Sequence, residues 1–202
     1  MAPAARRQDA VGSLLKMYIA GNYLFSGTDL DEIFEARRQE MRQAIEAMGP
    51  EEVREADGDE LLARFRLADP GMRLDKSYFV DERRLGPGDA EEFEAANLPA
   101  GDITKFKAIT IAIPIKGDAA LFEGRPSIYN MNQPQADIVD GELHICFLLA
   151  EVEESHLEQN FQQHIDLIER QLEVTQWQVM GFNAELAGDI QAALKKRKGK
   201  AP

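Results

Sequence analysis

Three histidines and one cysteine are the residues whose types first invite chemistry. His144 and Cys146 stand two positions apart in QADIVDGELHICFLLAE, so on a strand they share one face. An imidazole beside a thiol can activate a thiolate nucleophile. The simpler reading is a small sulfur and a ring on the less apolar face of a hairpin. His156 and His164 are eight positions apart, about 80° out of phase on a helix and two turns distant, which is poor geometry for one metal. They read as solvent-exposed histidines. The carboxylate pairs Glu91-Glu92 and Glu153-Glu154 read as solvated acid rather than as general acid and base. No phosphate-binding loop, dinucleotide fingerprint, H-E-x-x-H zinc motif or G-x-S-x-G elbow occurs. No catalytic residue, metal ligand or cofactor is expected.

Cations gather in two places. IKGDAALFEGRPS has Lys116 and Arg125 flanking a glycine-bent segment, a weak anion-loop pattern whose plain alternative is a strand-ending loop. The C-terminal stretch carries Lys195, Lys196, Arg197, Lys198 and Lys200. Cations at a helix C-terminus offset the negative end of its dipole. The other readings are a chain that continues past Pro202, or a contact with nucleic acid or an acidic partner. Overall the chain is acidic, with a net charge of −13 over 202 residues, which opposes general binding to phosphate backbones or anionic membranes.

The elements that must position these residues fall into four parts. Residues 1–69 are expected to be helical. A first segment over about 9–25 places Leu14, Leu15, Tyr18 and Ile19 at helical spacing, weakened by Gly12 and Gly21. A clearer helix, capped by Thr28, carries Leu30, Phe34, Met41, Ile45 and Met48 on one side and ends at Gly49-Pro50. DELLARFRL is a shorter one. Residues 70–104, with GPGDAEEFEAANLPAGD, read as an acidic loop or hinge. Residues 105–152 read as an antiparallel sheet. KAITIAIPIKG alternates with Ile109, Ile111, Ile113 and Ile115 on one face, and Pro114 places that strand at an edge or an end. Asp140-Gly141 between apolar runs signals a tight hairpin with Leu143, Ile145, Phe147 and Leu149 on one face. RPSIYNM is a further short strand candidate.

Residues 153–202 form a long helix. Phe161, Ile165, Ile168, Leu172, Thr175, Val179, Phe182 and Leu186 alternate by fours and threes, a heptad seam continued by Ile190 and Leu194. Unbroken, this helix would span about 60 Å, while a compact domain of this length is about 40 Å across. A break near Gly181 or Gly188 is expected, or a projecting half. Trp177, two positions off the seam, would widen the apolar face.

The fold class is therefore α+β: N-terminal helices, a small antiparallel sheet with a β-hairpin, and a long C-terminal amphipathic helix or helical hairpin, within one compact domain or several parts. One cysteine excludes an internal disulfide and a thiolate zinc site, which fits a reducing, cytoplasmic compartment. VGSLLKMYIAGNYLF follows Arg6 and Arg7, but Lys16 and Asn22 interrupt it, so no secretion signal or membrane span is expected.

The order IPIKGDAALFEGRPS, QADIVDGELHICF and then a helix containing VMGFNAEL resembles uncharacterised bacterial proteins of anti-phage and conflict operons, over about residues 105–197. The resemblance implies an α-β-helix module in a defence setting and brings no catalytic residues with it. The leading expectation is a non-enzymatic interaction or scaffold module. It would assemble with a protein partner or with itself through Val179, Phe182, Leu186, Ile190 and Leu194. The alternative is a nucleic-acid-processing or nucleotide-sensing component using Lys116, Arg125, Lys195, Lys196, Arg197 and Lys198.

Overall fold

The computed structural model describes residues 18–89, 103–128, 133–150 and 156–199. Among these residues six antiparallel strands make one sheet: β1 (Tyr18–Ala20), β2 (Gly71–Met72), β3 (Tyr78–Arg84), β4 (Phe106–Lys116), β5 (Asp137–Val139) and β6 (Glu142–Ala150). β4 and β6 pair along their lengths at the centre. β1 and β5 continue the sheet beyond β6, while β2 and β3 continue it beyond β4. The helices are α1 (Leu30–Ala47), α2 (Pro50–Glu55), α3 (Gly58–Phe65), the short α4 (Ala120–Glu123) and α5 (Leu157–Lys198). This is the expected α+β class.

The β5–β6 hairpin turns at Asp140 (φ 50°) and Gly141 (φ 83°), the paired positive φ that an Asp-Gly turn supplies. Leu143, Ile145, Phe147 and Leu149 then point together into the core. β4 is central over most of its length, and Pro114 falls two residues before its end, as a proline in a strand signals. Pro114 is tolerated because it falls between the residues that pair with β3 and those that pair with β2, where its carbonyl accepts from Arg73 N–H at 2.9 Å.

Three expectations for the first half change. Tyr18–Ala20 is a strand on β6, not helix; three apolar residues do not distinguish the two periods. Residues 9–17 of that expected helix lie outside the described residues. Within the expected hinge, residues 71–84 contribute β2 and β3, so this segment belongs to the sheet. In RPSIYNM, Arg125 forms an isolated bridge to Asp29 instead of a strand, Ile128 is exposed, and residues 129–131 lie outside the described set. α1 starts after Asp29 rather than on a Thr28 cap, and α3 is capped by Asp57 accepting from Asp59 N–H.

α5 is unbroken over 42 residues, about 63 Å at 1.5 Å per residue. It survives Gly181 and Gly188 because its buried seam never loses a partner. Ile165, Ile168 and Leu172 cover the sheet's apolar face with Ile113, Ile145 and Phe147. Past the fully buried Thr175, Val179, Phe182, Leu186, Ile190 and Leu194 pack with Leu30, Phe34, Met41 and Ile45 of α1 and Leu61 and Phe65 of α3. Phe182 stacks on Phe34 with ring centroids 4.7 Å apart, and Arg38 lies over Phe182 while bonding Asp189 at 3.1 Å. One helix thus serves two cores in series.

Candidate functional site

The five residues expected to meet a partner are therefore inside the chain. Val179, Phe182, Leu186, Ile190 and Leu194 are each at most 4% exposed, covered by α1 and α3. A 3-4 apolar seam specifies that a face is buried and does not specify by what. The expected projecting half of α5 is absent among the described residues, because the seam is covered along both halves.

The candidate anion residues are dispersed. Arg125 donates from Nε to Asp29 at 2.6 Å, at the N-terminal end of α1, and holds that carboxyl below the usual range. Arg197 sits at the other end of α1, where Nη2 donates to the carbonyls of Glu46 (3.1 Å) and Met48 (3.0 Å). An 18-residue helix, about 27 Å, separates the two. Arg197 closes carbonyls that α1 leaves open at its end, and its Nε is buried with no hydrogen-bond partner among the described residues. Lys195 and Lys198 are exposed, Lys196 borders a cleft with Arg42, Glu46 and Asp189, and Lys200 lies outside the described residues. The basic end thus includes one structural arginine amid solvated lysines. Lys116 is elsewhere, on the groove described below.

The histidines also separate. His164 is not solvent-exposed: it is 2% exposed, its Nε2 lies 2.8 Å from the Gln135 carbonyl, and burial holds its pKa below the ordinary value. His156 is half-buried at the start of α5. His144 and Cys146 do share a face, in a shallow hollow with Asp81, Thr110 and Asp137. There His144 Nε2 is 3.6 Å from the Glu142 carboxylate, which accepts from Tyr78 O–H at 2.7 Å. Among the described residues no group of three or more His, Cys, Asp and Glu could hold a metal, and no helix is long and apolar enough to cross a membrane. Glu91-Glu92 and Glu153-Glu154 lie outside the described residues.

The feature that stands out is on the other side of α5. Trp177 is 71% exposed and Met180 56% exposed. Trp177 does not widen the buried face; it faces solvent. Together they form one wall of a groove of about 810 Å³ between α5 and the segment leading into β2. Pro70, Met72 and Leu172 supply further apolar lining, and Asp69, Glu169, Glu173 and Lys116 its charges. The opposite wall is held fast. Asn183 donates to Leu67 C=O at 2.9 Å and accepts from Leu67 N–H at 3.0 Å, and Gln176 donates to Pro70 C=O at 2.7 Å. β2 adds its pairing with Ile115 and Lys116. A signal for this site existed in the sequence: Glu169, Glu173 and Trp177 step by four along the polar side of the seam, so the single tryptophan sits outside the apolar stripe.

No protein-family model, curated protein or solved structure matches the chain.

Proposed function

We propose that this protein is a non-enzymatic protein-interaction module that engages a partner through the outward side of α5, at the groove walled by Trp177 and Met180. The carrying observation is the 71% exposure of the only tryptophan, on a groove whose other wall is anchored by side-chain hydrogen bonds. Large aromatic and methionine side chains are the residue types that concentrate binding energy at interfaces, and a fixed wall lowers the ordering cost of association. The use of the C-terminal helix is retained from the sequence reading, while its contact face is the opposite one. The resemblance to conflict-operon proteins supports a bacterial defence setting.

The test places a photo-crosslinking residue at position 177 or 180, with exposed Gln43 on α1 as control, in cells that express the protein naturally. The adduct is identified and the complex rebuilt from purified components. A discrete adduct from 177 and 180 alone is expected, with Trp177→Ser weakening the rebuilt complex about thirtyfold, the effect of an interface hot spot, at an unchanged melting temperature. A complex indifferent to Trp177→Ser and Met180→Ser would overturn the proposal.

A further inference from the structure

The chemistry of the groove narrows what enters it. Resting on the interaction reading above, we infer that the occupant is a cationic segment of another protein, an arginine or lysine set beside an apolar anchor.

Three carboxylates, Asp69, Glu169 and Glu173, face one ammonium, Lys116, around an apolar lining of Pro70, Met72, Leu172 and Met180. Among the described residues none of these carboxylates forms an ion pair. The excess of negative charge is therefore available to an incoming cation. Trp177 belongs to the same row: Glu169, Glu173 and Trp177 are successive i, i+4 neighbours, each step rising about 6 Å. An indole face is the strongest aromatic acceptor for a cation, and for a guanidinium in particular. A guanidinium lying on Trp177 would also reach toward Glu173, one helical turn away. Met72 and Met180 give the apolar anchor an adaptable seat. The row spans about 12 Å over its two steps, the reach of two helical turns or about four extended residues. A partner would thus present two cations and one anchor within that span.

A second copy of this chain is the competing occupant. The exposed Lys195, Lys196 and Lys198 are a cationic segment of the right kind. Two copies, however, each carry a net charge of −13, which opposes their approach. A cationic protein is drawn in by the same field. The negative rim likewise disfavours an anionic lipid surface as the occupant.

The single tryptophan makes the test direct, since all indole fluorescence reports on this groove. The probe is a synthetic peptide carrying arginines around a leucine pair, compared with the same peptide bearing glutamine for arginine. Titration of the arginine peptide should shift Trp177 emission to shorter wavelength. The glutamine peptide should bind at least about tenfold more weakly, and so should the arginine peptide when salt is raised until the Debye length falls to about 3 Å. Glu169→Gln combined with Glu173→Gln should erase that preference without changing the melting temperature, because neither side chain pairs among the described residues. If the peptides bind equally, or if the double variant keeps the preference, the cationic occupant is refuted. A partner identified by crosslinking that still depends on Trp177 would then leave the interaction reading standing. A blue shift that grows with protein concentration alone, matched by a doubled mass in light scattering, would replace the foreign segment with a second copy.

Discussion

Replacing Gly181 and Gly188 with alanine should stabilise the protein. Both glycines lie inside the unbroken α5 and neither has positive φ. A Cβ built at either position meets nothing within 4 Å, so the substitution adds no steric conflict. What changes is the backbone entropy lost on folding, which makes an interior helical glycine costlier than alanine by about 0.8–1 kcal/mol. The positions are seven apart, on the solvent side of the seam, and share no contact, so their effects should add to about 1.5–2 kcal/mol. For a chain of this size that raises the melting temperature by about 3–8 °C. Differential scanning calorimetry and chemical denaturation of the single and double variants measure it. If the double variant melts at the wild-type temperature or below it, α5 bends or breaks at these glycines, and the continuous spine described above is wrong.

Three other outcomes are expected. Gly141→Val should cost about 1–3 kcal/mol by denaturant melts, entirely through backbone strain, because φ is 83° and the added side chain would meet open space; an unchanged midpoint would contradict the hairpin geometry. Phe182→Glu should leave the chain unfolded or molten by near-ultraviolet circular dichroism, since the residue is 3% exposed and stacked on Phe34; a folded, stable variant would mean that this face is not buried. His164 is held neutral by burial, so the unfolded chain binds its proton more readily. Its contribution is therefore complete above the ordinary value of 6.5 and is lost as pH falls through that value toward the depressed folded pKa. His164→Gln should lose less stability than wild type between about pH 7.5 and pH 5.5, and equal losses would contradict a neutral buried ring.

The parts of the fold that could be read from sequence are those specified by local chemistry. Asp140-Gly141 fixes a turn by itself, β4 announces its faces by strict isoleucine alternation, and α1 and α5 announce theirs by threes and fours. β3 could not be read in that way. YFVDERR is an edge strand, exposed along nearly all its length, so no buried face imposes an alternating pattern on it. β1 was too short for its period to show. The continuity of α5 was also hidden, because local propensity counts two glycines against the helix while tertiary packing on α1 and α3 outweighs them. The same packing decided the candidate site. Apolar spacing showed that Val179 to Leu194 form a face to be covered, but the cover is α1 and α3, far away in sequence, and not the separate partner expected. Arg197 bonds to α1 carbonyls that no local motif reveals. Trp177 was visible as an off-stripe residue, and only the placement of Met72 and Pro70 beside it turned that oddity into a groove.

The packing of α1 against the distal half of α5 also has a temporal side. Arg38 and Asp189 bond across 151 positions of chain. During synthesis at about 5–20 residues per second, the face bearing Leu30, Phe34, Met41 and Ile45 waits roughly 8–30 s before its cover has been translated. Throughout that interval an apolar stripe made early stands open to the crowded surroundings of the ribosome. α1 is rich in charge on its exposed side, with Asp31, Glu32, Glu35, Glu40 and Arg42, which keeps the nascent segment dispersed while it waits. The helix that completes the fold is thus also the step that ends its vulnerability, and chaperones that recognise short apolar helices would find their window before α5 emerges.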